Sequence, residues 1–324
     1  MAEKILVVTG PTATGKTALS VELAKKLGGE IVSADSMQIY RGMDIGTAKV
    51  TKAEMQNIPH HMIDIADPSE DYSVSRYVEE ADAAVRGILS RGRLPIVAGG
   101  TNLYIDSLIA GLDFAEKAED AALRESLNKQ YDDIGGEAML EHLRGFDPER
   151  AAKLHPADKR RIVRAVEIYI LTGETITRHD EETKKRPKRY DAVKIALTFA
   201  DRAVLYDRIN ARVDKMVSDG LFDEVKGLLD NGLSPESTSM QAIGYKEPAA
   251  YFRGEMSKDA AIELIKLSSR RYAKRQLTWL RRDTTVLWHE WPAEPDFDAL
   301  LRLVDSGQWL ADSGRRLCLR MNNE

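Results

Sequence analysis

Short apolar runs in the first 115 residues are separated by segments in which apolar residues recur at helical spacing. The runs lie at 4–9, 29–34 and 94–98, and the clearest helical pattern between them covers 74–89. Runs of this length are typical of buried strands. Strands that alternate with helices pair in parallel and place ligands at their carboxyl ends. The pattern therefore predicts an α/β domain built on a parallel sheet.

The middle of the chain follows a different pattern. Residues 116–189 are highly charged, show helical periodicity and contain no obvious strand. The apolar run at 191–200 predicts a strand that returns to the sheet. Further helices are predicted at 202–217, 221–230 and 257–282, and a final strand at 284–291. We predict that 1–115 and 190–324 form one α/β core and that 116–189 is a helical insertion.

Residues 10–17, with the sequence GPTATGKT, match the phosphate-loop pattern G-x-x-x-x-G-K-[ST]. The motif lies between a predicted strand and a predicted helix, which is the context that it requires. Its backbone N–H groups and the helix N-terminus form a nest for anionic oxygens, the lysine adds a positive charge, and the last hydroxyl can bind Mg²⁺. We predict that a phosphate ester binds here. The predicted ligands are Gly10, Pro11, Thr12, Ala13, Thr14, Gly15, Lys16 and Thr17.

Two further loops should emerge at the same edge of the sheet, Ala34-Asp35-Ser36 and Gly99-Gly100-Thr101. A phosphate-loop hydrolase or kinase usually has an Asp at the end of a second apolar strand, where this chain has Gly99. The loop can therefore serve a reaction other than ATP hydrolysis. Asp35 could accept a proton from a nucleophile, or it could cap the turn that follows it. Spacing alone leaves both possibilities open.

The charge distribution is uneven along the chain. The net charge is −5, yet residues 151–324 contain 31 Lys and Arg against 27 Asp and Glu. Basic residues cluster at 158–164, 184–189 and 270–275. Such clusters can follow a phosphate backbone even on an acidic protein, although each could also be a solvated helix face.

The sequence also indicates where the protein works. The single cysteine, Cys318, excludes an internal disulfide and a cysteine-based zinc module, which is typical of a reducing compartment. The opening residues run directly into the first predicted strand, so we expect no signal peptide. No apolar run approaches the length of a membrane span. We expect a cytoplasmic protein with no membrane association.

Seven segments carry a resemblance to a known family. They are GPTATGKT, SADSMQIYRGMDIGTAK, PHHMIDI, GGTNLYI, HPADKRRIVRAVEIY, SMQAIGYKE and YAKRQLTWLRR. Together they resemble the bacterial tRNA dimethylallyltransferases, the isopentenyl-tRNA transferases, and they occur in the same order along nearly the whole chain. The resemblance implies a P-loop NTPase-like parallel sheet flanked by helices, with a helical insertion domain that contacts tRNA.

The same resemblance implies the reaction. A dimethylallyl group would pass from dimethylallyl diphosphate to N6 of adenosine 37, in tRNAs that read codons beginning with U. Diphosphate would be released and N6-isopentenyladenosine formed. The phosphate loop would hold the donor's diphosphate, and Lys16 and Mg²⁺ would neutralise the charge that builds as it leaves. The implied partner is the tRNA anticodon stem-loop, and we expect a monomer.

The resemblance also implies the roles of individual residues. Asp35 would be the general base for the N6 amine, Thr101 a catalytic hydrogen-bond partner of the substrate, and Arg212 a clamp on the diphosphate. The alternatives are that Thr101 caps the next helix and that Arg212 pairs with Asp207 or Asp214. The implied tRNA-binding residues are Asp35, Ser36, Met37, Gln38, Thr101, Arg124, Lys159, Arg160, Arg161, Ile162 and Val163. The target base would be flipped out of the loop.

Two other functions compete with this interpretation. A small-molecule kinase that uses ATP would also need a phosphate loop, a carboxylate such as Asp35 and a parallel sheet. An RNA-binding protein that uses a nucleotide as a switch would bind RNA without forming a covalent product. The ordered series of family segments favours the transferase over both.

Overall fold

The computed structural model describes residues 2–111, 120–185 and 187–306. The chain divides into two compact units, one formed by residues up to Gly111 and from Arg189 onward, the other lying between Leu112 and Lys188. The predicted boundary at 115/116 lies outside the described residues, as does Cys318. Arg189 belongs to the first unit, where its backbone N–H donates to the carbonyl of Ile109 at 3.0 Å.

The first unit is built on a parallel six-stranded sheet, which confirms the predicted fold class. Its strands are β1 (Glu3–Thr9), β2 (Gly29–Ser33), β3 (His60–His61), β4 (Leu94–Ala98), β5 (Tyr190–Phe199) and β6 (Leu287–Trp291). They lie in the order β3-β2-β4-β1-β5-β6, and every neighbouring pair is parallel. The sequence pattern did not predict β3, because two residues are too few to show a period.

Helices flank this sheet and also form the second unit. In chain order they are α1 (Lys16–Leu27), α2 (Lys52–Met55), α3 (Val74–Ser90), α4 (Asn102–Ala110), α5 (Ala121–Ile134), α6 (Gly136–Arg144), α7 (Pro148–Ala151), α8 (Lys159–Thr172), α9 (Ile176–Lys185), α10 (Arg202–Ser218), α11 (Leu221–Asp230), α12 (Lys246–Phe252), α13 (Lys258–Leu280) and α14 (Phe297–Ser306). Helices α5–α9 belong to the second unit. Within the described ranges, no helix is both long and apolar enough to span a lipid bilayer.

Apolar side chains bury the strands of the first unit against the helices. Val8, Ile96 and Leu197 of the central strands pack in one core with Leu23 of α1 and Ile209 of α10, and all five are nearly inaccessible to solvent. Strands covered in this way are expected to be apolar along most of their length. This core fixes the strand ends, and the loops that follow them, on a rigid support.

The second unit has its own core. Met139 and Leu143 of α6 pack against Ile162 and Val166 of α8, and all four are buried. The buried carboxylate of Asp147 accepts hydrogen bonds from the backbone N–H of Arg150 at 3.0 Å and of Thr177 at 3.1 Å, and so joins α7 to α9. A buried carboxylate is tolerated where hydrogen-bond donors surround it.

Candidate active site

Three loops lie side by side where β2, β4 and β1 end. The backbone N–H of Gly99 donates to Val8 at 3.1 Å, and that of Thr101 donates to Ala34 at 3.0 Å. A Cβ at Gly99 would lie 2.1 Å from the Ala34 carbonyl oxygen, so only glycine fits this approach. Gly99 therefore brings the loop after β4 against the loop that carries Asp35.

The phosphate loop closes on itself before α1 begins. Lys16 Nζ donates to the Pro11 carbonyl at 2.7 Å, and Thr14 Oγ1 donates to the same oxygen at 2.9 Å. Gly15 has φ 85°, which glycine adopts without strain. Trp291 Nε1 donates to the Thr14 carbonyl at 3.0 Å, so the end of β6 supports the loop from outside. Hydrogen bonds within the protein thus fix the conformation of the phosphate loop.

Lys16 and Arg212 concentrate positive charge beside this loop. The pKa of Lys16 is lowered to about 7, mainly by burial and then by the charge of Arg212, while Asp35 opposes the shift. Burial likewise lowers the pKa of Arg212, again against the influence of Asp35. In the part of the chain that the structure describes, neither cation forms an ion pair with a carboxylate. Two desolvated cations without a carboxylate partner are suited to binding an anion.

Arg208, one helical turn before Arg212, has a different position. Its Nε donates to the Ala13 carbonyl at 3.3 Å, and its guanidinium pairs with Glu294 at 2.5 Å. The sequence-based alternative for Arg212 was an ion pair with Asp207 or Asp214, but Asp214 pairs with Lys266 at 2.8 Å. Arg208 therefore supports the phosphate loop, whereas Arg212 lies close enough to Lys16 and Asp35 for their charges to interact.

Asp35 and Thr101 each accept a backbone N–H from one of the two residues that follow Asp35. Asp35 Oδ1 accepts the backbone N–H of Met37 at 2.9 Å, which is the turn-capping bond that the sequence suggested as an alternative role. Thr101 Oγ1 accepts the backbone N–H of Ser36 at 3.0 Å and makes no capping bond to α4, although Thr101 directly precedes that helix. The capping alternative for Thr101 is therefore wrong. The hydroxyl is turned towards the Asp35 loop instead.

Three tyrosines lie close enough to Asp35 to feel its charge, and sequence reasoning missed them. Tyr77 and Tyr104 stack with ring centroids 4.0 Å apart. Burial raises the pKa of both, and the negative charge of Asp35 contributes. The pKa of Tyr272 is raised to about 12, mainly by burial and then by Asp35. Tyr77 lies at an apolar position of a helical pattern, where the sequence gives no signal that distinguishes a site residue from a core residue.

The remaining residues predicted to bind tRNA in the first unit are half-buried near Asp35. Gln38 Nε2 donates to the carbonyls of Thr47 and Ala48, both at 3.4 Å. Ser36 Oγ lies 3.3 Å from Thr101 Oγ1. Met37 provides the N–H that Asp35 accepts. These three residues therefore lie on the loop that carries Asp35, and Ser36 connects that loop to Thr101.

In the second unit, the predicted tRNA-binding residues differ in their exposure. Arg160 and Arg161 are exposed, and Lys159 pairs with Asp132 at 2.6 Å. Ile162 and Val163 are buried in the core of the unit, so their side chains are not available to RNA. This position follows from the helical period, which turns two of five successive residues inward.

Arg124 of the second unit is also committed to an internal contact. Its guanidinium pairs at 3.0 Å with Glu167, whose side chain is completely buried. Arg164 pairs with the same carboxylate at 2.9 Å. A buried carboxylate needs such partners, so Arg124 has a structural contact whatever else it binds.

Comparisons with known proteins place these features in context. Residues 38–283 match a family model described as IPP transferase, and residues 3–67 match one described as isopentenyl transferase. A tRNA dimethylallyltransferase of Caldanaerobacter subterraneus is 48% identical over 290 residues, covering 89% of this chain and 92% of the relative.

Solved structures are similar over nearly the whole chain. The full-length tRNA isopentenylpyrophosphate transferase from Bacillus halodurans has a TM-score of 0.71 at 44% identity, covering 96% of this chain and 98% of that one. A eukaryotic dimethylallyltransferase described as acting on tRNA has a TM-score of 0.81 at 30% identity, covering 97% of this chain and 80% of that one.

Proposed function

Because this chain belongs to the IPP transferase family, we propose that it transfers a dimethylallyl group from dimethylallyl diphosphate to N6 of adenosine 37 in tRNA. One observation supports the assignment most strongly: the phosphate loop, Lys16 and Arg212 form a desolvated cationic site next to Asp35. An anionic leaving group and a proton acceptor are what this transfer requires.

On the donor side, the diphosphate binds to the backbone N–H groups of residues 10–17, to Lys16 and to Arg212. Charge accumulates on the diphosphate as its bond to C1 of the dimethylallyl group breaks. Half-buried cations that are already fixed in place stabilise that charge with little reorganisation. Binding of the diphosphate also gives Lys16 and Arg212 the counter-charge that the free protein lacks.

On the acceptor side, the N6 lone pair forms a bond to C1 while the C1–O bond breaks and its electron pair leaves with the diphosphate. The amine proton passes to the carboxylate of Asp35. Adenine N6 is a weak nucleophile because its lone pair is delocalised into the ring, so orientation and proton removal both matter. Thr101, whose hydroxyl faces the Asp35 loop, orients the adenine between Asp35 and the bound donor.

The residues present fit a magnesium ion carried mainly by the donor. In the residues that the structure describes, no three His, Cys, Asp or Glu side chains cluster as a metal site. Mg²⁺ typically keeps several waters and takes few protein ligands beside substrate phosphates. The Thr17 hydroxyl, exposed in the first turn of α1, would hold it. When bound, the ion supplies further neutralisation of the leaving diphosphate.

The RNA partner is the anticodon stem-loop, with adenosine 37 flipped towards Asp35. Ser36, Met37 and Gln38 lie on the loop that carries Asp35. Arg160 and Arg161 offer exposed charge to the RNA backbone from the second unit. We propose a monomer that acts on tRNA in the cytoplasm. A small-molecule kinase is not favoured, because the family match extends over most of the chain.

The test combines purified protein, Mg²⁺, labelled dimethylallyl diphosphate and an unmodified anticodon stem-loop that contains three consecutive adenosines. We expect label in the RNA and its loss when the adenosine corresponding to position 37 is replaced. Consumption of ATP with a small-molecule acceptor, without labelled RNA, would instead support the kinase. RNA binding that depends on nucleotide and yields no covalent product would support the switch protein.

A further inference from the structure

Helix α13 contributes a buried amide that joins two loops of the site. Gln276 is 4% exposed. Its Oε1 accepts the backbone N–H of Thr12 in the phosphate loop at 3.3 Å. Its Nε2 donates to the carbonyl of Gly100, in the loop after β4, at 2.8 Å. One side chain therefore bridges a donor-side loop and an acceptor-side loop.

Residues on the neighbouring loops leave room for the Gln276 amide and hydrogen-bond its backbone. A Cβ at Gly100 would lie 2.3 Å from Gln276 Nε2, so the loop after β4 must have glycine there to admit the amide. The backbone carbonyl of Gln276 accepts Asn102 Nδ2 at 3.4 Å, and Asn102 Oδ1 accepts Thr9 Oγ1, also at 3.4 Å. The ends of β1 and α4 are thus connected to the same point of α13.

The same helix reaches the acceptor side one turn earlier. The side chain of Tyr272 lies near that of Thr101, the residue that follows Gly100, and near Asp35; burial, and then the charge of Asp35, raise the pKa of this tyrosine. Residues four apart on a helix share a face. Tyr272 and Gln276 therefore form one surface of α13 behind both loops.

We infer that Gln276 is a positioning residue that sets the phosphate loop at a fixed distance from the Gly99–Thr101 loop. The inference rests on the proposed function, in which the first loop holds the leaving diphosphate and the second orients the acceptor. Gln276 touches no reacting atom. It acts through Thr12 and Gly100. It thereby determines whether N6 of the acceptor is aligned with C1 of the bound donor.

Substitution can remove one or both of the hydrogen bonds that the amide forms, since its oxygen accepts one and its nitrogen donates the other. Gln276→Glu keeps an acceptor for the Thr12 N–H but has no donor for the Gly100 carbonyl. Gln276→Met is of similar length and removes both bonds. Misplacement of reacting groups by about 1 Å can cost about 100-fold in rate without a matching loss of binding. We therefore expect kcat to fall about 10- to 100-fold in both variants, with Kd for the donor and for the stem-loop within about threefold of wild type.

A double-mutant cycle distinguishes positioning from general loosening of the fold. If Gln276 acts through the Gly99–Thr101 loop, Gln276→Met and Thr101→Val will be non-additive, because the second change removes a group that the first has already displaced. Glu263→Gln, at an exposed position of the same helix, is the matched control and should leave kcat unchanged. Urea unfolding of each variant shows whether the assayed protein is folded.

The outcomes separate this inference from the proposed function. Absence of transfer by the wild-type protein would overturn the proposed function itself. Normal transfer by wild type together with unchanged kcat in Gln276→Met would overturn only the positioning role. Strict additivity with Thr101→Val, or a fall in kcat that matches the unfolded fraction, would also overturn it. A reduced kcat with unchanged Kd and non-additivity would support it.

Discussion

Arg212 lies close enough to Lys16 for its positive charge to lower the pKa of the lysine, which burial has already brought towards neutrality. When two like charges are held near one another in a desolvated site, the group with the lower intrinsic pKa, here Lys16, loses its proton more readily. The repulsion remains because no carboxylate forms an ion pair with either group in the described chain. Binding of an anion therefore relieves the electrostatic repulsion between Lys16 and Arg212.

The first prediction concerns pH. With a pKa of about 7 in the free protein, Lys16 loses its proton as the pH rises through that value. Bound diphosphate favours the protonated form, so binding raises this pKa and takes up a proton. We expect donor affinity to fall as the pH rises above neutrality, and calorimetry in two buffers of different ionisation enthalpy to show proton uptake.

The control for this experiment is Lys16→Arg, because a guanidinium does not titrate in this range. Protonation of the ligand itself is the same for both proteins, so the difference between them reports on Lys16. Equal proton uptake by wild type and Lys16→Arg would contradict the prediction.

The second prediction concerns Arg212. Arg212→Met removes a charge-assisted contact to the diphosphate, which is worth about 1.5–3 kcal/mol, so KM for the donor should rise at least about tenfold. It also removes the repulsion on Lys16, so the pH dependence of donor binding should move to higher pH. Steady-state kinetics over a pH series measure both effects.

Arg208→Met provides the comparison, since Arg208 lies one turn away on α10 and pairs with Glu294. We expect it to reduce the urea midpoint of unfolding without moving the pH dependence of donor binding. The assignment of Arg212 fails if the two variants shift that pH dependence equally.

The third prediction tests the base. Asp35→Asn keeps an oxygen that can accept the Met37 N–H but cannot take a proton. Loss of a general base costs about 100- to 10,000-fold, so transfer should fall by that factor while stem-loop affinity stays within a few-fold. Asp35→Ala should lose transfer to at least the same extent. Single-turnover assays measure the rate of transfer, and filter binding measures the affinity for the stem-loop.

Asp191→Asn makes the same chemical change at an exposed position of β5 and should retain full activity. Full transfer by Asp35→Asn would remove Asp35 as the base.

The fourth prediction concerns the second unit. Reversal of the exposed charges by Arg160→Glu with Arg161→Glu should weaken tRNA binding. It should also reduce the slope of log Kd against log salt by about 0.7 for each lost phosphate contact. Extending the reversal to Lys159 additionally breaks its ion pair with Asp132, so the double variant is the cleaner test.

Arg144→Glu is the control, because this exposed residue of α6 lies in the same unit. It should change neither affinity nor slope. If the Arg160 and Arg161 variant binds with an unaltered salt slope, the RNA contacts the protein elsewhere.

Local sequence was sufficient for much of the fold. The apolar runs that became β1, β2, β4 and β5 are long enough to show their character, and α3 carries an apolar face over its whole length. Glycine at positions 10 and 15 and lysine at 16 defined the phosphate loop, because its tight turn needs glycine and the bound phosphate needs a cation. By contrast, β3 has two residues and exists only through pairing with β2.

The sequence by itself therefore determined the sheet-and-helix architecture, the phosphate loop and, through the ordered family segments, the class of reaction. Tertiary structure alone decided which side chains meet. It separated Arg212 from Arg208, turned Thr101 towards Ser36, buried Ile162 and Val163, and brought Tyr272 and Gln276 of α13 against loops more than 170 positions earlier in the chain. The physical reason is that periodicity reports only short-range backbone preference, whereas pairing, desolvation and hydrogen bonding between distant segments depend on how the whole chain packs.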